Sequence, residues 1–510
     1  MAENIIVLKT NPGIKRDGTV FEGDWYVDGQ WVRFQRGLPR KMGGARAIGK
    51  YLPEICTGLH TYTQNDYIYS HAGSASYLSR FTLDKDNNSS VITDRTPVGF
   101  VANSNNDWTF DVMYSSVDTQ NTIIAQVSDD GDNIAKNTTG YIYTGGLTDT
   151  APLTAVSIPA GQNASGGIVV LHPYTFYFGD AGVIGWSVPG DPTDLTGSGS
   201  GVARVTGQKV VKGFPLRAGA GSAPAGIFWS YDSVIRATFT GGSTVFQFDT
   251  ISSDTSIISK NSVIEYDGVF YWAAVDRFLT FNGVVREVPN SMNLNWFFDN
   301  INPNYKEKVF ALKVPRYGEI WWCFPFGDAT ECTHAVIYNV RENTWYDTLL
   351  PSEARSAASF SQMYAAPITT GTVDQGSGYN IWRQEIGTDA ISGLDIEPLQ
   401  SYFETCDLCL GVLSGKNSKL EISVIEPDFV QSGDMSVTIV GRANARAKEV
   451  ESNTVVFPDD ATLEPSKQVV MMKQQRRELR IRFESNVSGG NYQMGQVLLH
   501  IQPGDGTVLG

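Results

Sequence analysis

Residues 262–288 read Ser-Val-Ile-Glu-Tyr-Asp-Gly-Val-Phe-Tyr-Trp-Ala-Ala-Val-Asp-Arg-Phe-Leu-Thr-Phe-Asn-Gly-Val-Val-Arg-Glu-Val. Asp267-Gly268 and Asn282-Gly283 stand between β-branched and aromatic runs, with a weaker break at Asp276-Arg277. Asx-Gly pairs are favoured in type I′ turns, which need positive φ at both central residues. The stretch therefore predicts four short strands in one meander, the size of a single propeller blade. A lone blade leaves its faces uncovered, so neighbours are required.

Working outward, the same texture recurs. Leu59–Thr63, Asp66–Ser70 and Tyr77–Leu83 form a first set; Trp108–Met113, Thr122–Val127 and Gly140–Thr144 a second. A third runs over Gly167–Asp180 and Val183–Ser187, and a fourth over Ala225–Ser230, Ser233–Phe239 and Val245–Asp249. The opening stretch is the fifth. The sixth contains Lys308–Val314, a turn at Tyr317-Gly318, Glu319–Phe324, Ala335–Val340 and Asn343–Asp347. Sets recur at roughly 40 to 50 residues, the range of propeller blades. Residues 355–390, with Ile381-Trp382, offer a closing strand. The expected fold is all-β: a propeller of about six blades over residues 51–395.

Residues 396–510 have a different character. Leu420–Ile425, Asp434–Val440, Gln468–Met472, Glu478–Glu484 and Gln496–Ile501 read as strands. Leu479, Ile481 and Phe483 alternate with Arg480, Arg482 and Glu484, as in a strand with one apolar and one charged face. This predicts a β-sandwich-like platform. Residues 1–50 form a third part, an arm. After Asp28 it holds no acid and carries Arg33, Arg36, Arg40 and Lys41, interleaved with Trp31 and Phe34. Such an arm suits packing on the platform or on a neighbouring subunit. Arg442, Arg446, Arg476 and Arg477 make a second basic group. These eight residues are the candidate assembly contacts, because arginine is favoured at interfaces. For the platform group, a merely solvated face is the competing reading.

The 510 residues carry a formal net charge of -15, with 41% hydrophobic, 11% aromatic and only 18% charged residues, and 51 glycines. Short strands joined by tight turns suit that balance; disorder needs its opposite. An acidic chain is a poor general binder of nucleic acid, though an acidic channel wall would let DNA slide. The start, Met1–Lys9, lacks a basic leader, and no run of 18 apolar residues exists, so neither secretion nor a membrane span is expected.

Chemistry-bearing motifs are scarce. There is no phosphate-binding Gly-rich loop before a helix, no Gly-x-Ser-x-Gly elbow and no His-Glu-x-x-His pair. Gly219–Gly226 is glycine-rich but opens a strand. Asp129–Asn133 lacks the spacing of a calcium loop and reads as a polar hairpin tip. The five cysteines, Cys56, Cys323, Cys332, Cys406 and Cys409, read as free thiols; Cys406 and Cys409 have zinc-knuckle spacing, but the only second pair is Cys332 with His334. Five isolated histidines read as structural. No catalytic residue, metal or cofactor is expected.

Several stretches are similar, as text, to one family. Asp24–Gly29 and Trp31–Gly44 resemble the opening of tail nozzle proteins (tail tubular protein B type) of short-tailed bacteriophages, and Gly182–Asp194, Phe228–Arg236, Ile264–Gly268, Asp276–Phe278, Tyr338–Trp345, Gly433–Val437, Gly441–Arg446 and Met494–Val497 resemble further parts of it. The resemblance spans most of the chain. It implies a virion protein made in the host cytoplasm, forming a ring of about six copies below a tail adaptor. Such a ring extends the channel for double-stranded DNA without sequence-specific binding and closes it until ejection; a tail fibre or spike is a further possible neighbour. No catalytic residues come with the family. The alternative from a different class is a receptor-binding propeller that holds a host glycan, and a third is a propeller glycosidase.

Overall fold

The computed structural model describes residues 4–21, 23–84, 91–128, 141–216, 223–242, 244–358, 367–415, 418–459 and 469–504. Asp129–Asn133 and the first part of the Gly219–Gly226 stretch lie outside these residues.

Five antiparallel four-stranded sheets follow one another along the chain, spanning residues 56–94, 107–156, 167–204, 210–252 and 264–287. Each is a blade with its strands in sequence order, innermost first. The fifth is the stretch read first. Its turn at Asp267-Gly268 has positive φ at both residues, 51° and 82°, as type I′ requires. The Asn282 turn differs from expectation: the loop runs Asn282 to Val284 and only Gly283, at φ 112°, is left-handed. A three-residue tip needs one such position, not two.

The sixth blade uses strands Phe310–Val314, Glu319–Phe324, Cys332–Asn339 and the first part of Thr344–Ala358. That last strand shifts register near Ala354 and continues as the innermost strand of a seventh blade. The seventh adds Ile368–Asp374 and Tyr379–Gln384 and is completed by Ala45–Leu52 from the other end of the chain. Seven blades therefore replace the expected count of about six, and the stretch 355–390 supplies most of a blade, not one closing strand. The ring closes where Thr344–Ala358 packs beside Cys56–Gln64. The propeller thus begins at Ala45, inside the segment expected to be wholly an arm.

Inside the ring the blades stack through aromatic side chains. Trp272 is fully buried, packs edge-on to Trp229 at 5.7 Å, and shares a cluster with Phe270 and Phe281. Phe278 packs with tilted rings 4.7 Å from Trp322 and 4.8 Å from Trp345, joining blades five and six. At Gly73 the Trp108 ring comes so near that a Cβ would lie 2.2 Å from it, so only glycine fits between blades one and two.

Most of the remaining described residues form two facing sheets, with a small parallel pair of Asn11–Ile14 and Trp25–Tyr26 beside them. One has the order Val470–Arg476, Leu420–Ser432, Asn491–Pro503, Leu38–Lys41, Val32–Gln35, with Asn4–Val7 also on Asn491–Pro503. The other has the order Val450–Glu451, Met435–Arg442, Glu478–Ser485, Ser401–Glu404, Asp28–Gln30. Leu479, Ile481 and Phe483 point into the core with Ile422, Val437 and Leu499, as their alternation predicted. This core is continuous with Phe310, Leu312, Trp321 and Tyr346 of the sixth blade. The N-terminal segment thus supplies strands to both platform sheets before crossing into the propeller.

Candidate functional site

The eight basic candidates separate into two classes. Arg33 has no exposed surface. It lies on the short strand Val32–Gln35, whose two-residue turn at Arg36-Gly37, with φ of 56° and 75°, fixes the hairpin back to Leu38–Lys41. Arg33 Nη1 and Nη2 donate to the Glu385 carboxylate at 2.6 Å each, and its Nε lies 2.8 Å from Glu319 Oε1. Its guanidinium covers the Tyr317 ring at 3.7 Å. Glu319 also accepts from Trp321 Nε1 at 2.9 Å and Tyr346 Oη at 2.7 Å. A planar cation with two forked carboxylate partners fits this seam as an ammonium could not. Burial drives the Glu319 carboxyl up, against the pull of Arg33, and drives the Tyr346 hydroxyl far above its ordinary value. Arg33 therefore joins the platform to blades six and seven of its own chain; it is not available to a partner.

Arg442 and Lys41 are corrected in the same way. Arg442 is buried, pairs with Asp407, lies 2.6 Å from Glu478 and donates to the Ala445 carbonyl. Beside it Arg480, expected on a charged outer face, is buried between Glu404 at 2.9 Å and Glu449 at 2.5 Å. Burial pushes the Glu404 carboxyl up to about 7, with Arg480 opposing and Asp28 adding to the rise. Lys41 is buried and donates to the Ser485 carbonyl at 3.3 Å; burial lowers its ammonium to about 8, with Asp389 acting against the fall.

Arg36 and Arg446 are exposed, and Arg40, Arg476 and Arg477 are half-buried. The backbone at Arg36 and Gly37 donates to Glu342 of blade six at 3.0 and 3.2 Å, which leaves the Arg36 side chain on the outside. Arg40 reaches Gln35 at 2.7 Å. Arg476 and Arg477 sit at the end of Val470–Arg476, an open edge of the first platform sheet, near the exposed Met471 and Lys473. These five are the candidates the fold leaves accessible. They do not form one cluster: the first two hairpin positions adjoin blade six, and the last two are on the opposite edge of the sheet.

Sequence reading missed Arg16, which binds the buried Asp347 of blade six through Nε and Nη2 at 3.0 and 2.8 Å and also pairs with Asp28. The neighbouring Asp17 accepts from the backbone of Asn295 and Trp296 at the start of the short helix Leu294–Asn300. No motif marks either residue; only the far partners give them meaning. All five cysteines are free thiols, Cys406 and Cys409 lie in the loop between Ser401–Glu404 and the short helix Leu410–Ser414, and no group of three metal-ligating side chains occurs among the described residues. His71 is buried and His60 half-buried beside Phe110, and desolvation lowers His60 to about 4. No helix among the described residues is long and apolar enough to cross a membrane.

No protein-family model and no curated protein sequence matches the chain. Similar solved structures include the WD40 β-propeller domain of Doa1, at 11% identity and TM-score 0.41, covering 66% of this chain and 97% of that one. Another is YCF48 bound to a D1 peptide, at 11% identity and TM-score 0.34, covering 75% and 94%.

Proposed function

We propose that the chain is a structural subunit of the tail nozzle of a short-tailed bacteriophage, assembling below an adaptor as a ring of about six copies through which DNA passes. The observation that carries this reading is the path of residues 4–52. One segment strands both platform sheets, pairs Arg16 and Arg33 with carboxylates of the sixth and seventh blades, and closes the propeller. Shared strands, a shared core and buried ion pairs tie the two bodies to each other, which is what a ring under packaged-DNA pressure needs. A net charge of -15 with exposed arginines at separate edges supplies the two unlike faces that a head-to-tail ring contact needs.

The glycan-binding alternative draws less support. Exposed tyrosines are the natural sugar platforms, yet they are divided: Tyr67 and Tyr114 flank turns at one end of the blades and Tyr231 a turn at the other. The test is negative-stain electron microscopy of the purified chain with and without extract containing the adaptor. Closed rings with an axial channel support the nozzle; isolated particles in both preparations, with saturable binding to a cell-surface polysaccharide, would replace it.

A further inference from the structure

The propeller axis holds two cavities, of about 220 and 200 Å³, that share Thr57 as a wall. The outer one lies where the innermost strands begin, and all seven blades reach it, through Thr57, Asp107, Gly166, Lys209, Lys260, Lys308 and Arg355 among others. Four of these are cations, in an acidic protein. The inner one is walled by His60, Trp108, Thr109, Lys212, Asn261 and Ser356 among others.

The charges on this axis are unevenly matched. Lys260 is 2.9 Å from Asp107 and within 3.4 Å of Thr109 Oγ1; Lys308 pairs with Glu331. Arg355 lies 3.8 Å from the same Glu331, and its Nη1 is buried without a hydrogen-bond partner. Lys212 makes no hydrogen bond or ion pair among the described residues; the Phe214 ring lies 5.3 Å from its ammonium, and Lys260, Asp107 and Asp111 act on it through space. The carboxylate that could reach it, Asp111, already accepts from the backbone of Val112 at 2.8 Å and Val170 at 2.7 Å. Burial, with Lys260 as a like-charged neighbour, lowers the Lys212 ammonium to about 8, against Asp107 and Asp111, so at neutral pH it is still mostly charged. A half-buried cation that lines a cavity with no carboxylate in direct contact among the described residues is costly unless something fills that place.

We propose that the axial cavity is a binding site for a small oxyanion, admitted past Lys209, Lys308 and Arg355 and held by Lys212 with Asn261 and Thr109 beside it. Phosphate and carboxylate head groups share this chemistry, and the site does not depend on the nozzle reading. Its natural source is a free ion or the charged end of a small molecule; the inner cavity is too narrow for a folded partner.

The test is calorimetric titration of the full chain with inorganic phosphate and, separately, with acetate, each against chloride at equal ionic strength. Thermal melts run alongside, since a ligand that binds only the folded state raises Tm. The expected result is saturable binding of one of the two anions, weakened at least tenfold in Lys212→Met, with Arg36→Ala unchanged. Lys212→Met removes a half-buried charge with no direct partner among the described residues, so its Tm in chloride should equal or exceed that of the parent. Preference for phosphate over acetate would assign a tetrahedral head group, and the reverse a carboxylate. No binding of either anion, or equal binding by Lys212→Met and the parent, would overturn the proposal.

Discussion

Both the propeller and the platform have apolar cores, but the contacts between blades and the contacts that tie the platform to the propeller differ in kind. Between blades the contacts are aromatic: Trp229 on Trp272, Phe278 on Trp322 and Trp345, Trp108 against Gly73. In the platform and along its seam with blades six and seven, arginines are clamped by carboxylates: the buried Arg33 by Glu319 and Glu385, Arg442 by Asp407 and Arg480 by Glu404, and the half-buried Arg16 by Asp347. Aromatic packing is tolerant of small repacking and insensitive to which partner supplies the area. A buried ion cluster gives less net stability than its Coulomb energy suggests, but it fails severely when one member is removed. The first device suits repeated units; the second fixes one angle between two bodies.

The largest expected effects test that contrast directly. Arg33→Ala strands two buried carboxylates and should cost roughly 3–5 kcal/mol. Trp272→Ala should cost about as much, roughly 3–5 kcal/mol, by leaving a cavity. Conservative replacements should then separate the two. Trp272→Phe should recover most of the loss, whereas Arg33→Lys should not, because an ammonium cannot fork to two carboxylates. Urea melts measure all four; equal recovery by both would show that the seam is only packed area.

A smaller effect belongs to Gly73→Ala, where the new Cβ must displace the Trp108 ring. Overpacking of this kind costs about 1–3 kcal/mol and should leave the platform untouched. Near-ultraviolet circular dichroism would read the ring displacement, and an unchanged spectrum with unchanged stability would break the packing argument.

The platform should also carry a pH signature. Burial raises Glu404 from an ordinary carboxyl value to about 7 in the folded chain. Between about pH 4.5 and 7 the unfolded chain gives up this proton more readily than the folded one. Stability from this group is therefore lost as pH rises through that window, by on the order of 2 kcal/mol. Asp111, raised to about 6 by burial on the propeller axis, adds a slope of the same sign. Subtracting the stability of Glu404→Gln from that of the parent isolates the platform term. The difference should fall steadily across the window; parallel curves would remove Glu404 as its source.

The smallest effect on stability is expected at the edge. The double change Arg476→Glu, Arg477→Glu alters half-buried side chains outside the ion clusters, so melts should move by no more than about 0.5 kcal/mol. Self-association should weaken much more, and sedimentation would separate the two quantities.

How far the sequence could be read follows the same division. The fifth blade is legible because its four strands and three turns lie within residues 264–287, and each turn carries its own residue chemistry. The seventh blade is not, because Ala45–Leu52 pairs with Tyr379–Gln384, more than 300 positions away, and because one strand, Thr344–Ala358, serves two blades. Propeller closure is a long-range pairing that no local turn announces. The basic residues failed for a related reason. Arg33 and Arg36 look alike in sequence, but Arg33 meets Glu319 and Glu385, 286 and 352 positions on, while Arg36 is turned outward by its hairpin. Alternation correctly buried Leu479, Ile481 and Phe483. It could not say that Arg480 on the other face would be covered by the loop carrying Asp407.

The central proposal is that this subunit, its platform and propeller joined by one N-terminal segment, works as a ring. Light scattering on the purified chain, alone and after mixing with extract containing the tail adaptor, measures it most directly. The account expects a species of about six times 55.8 kDa, either at once or on addition of adaptor. A mass of 55.8 kDa under both conditions, across a wide range of protein concentration, would contradict it.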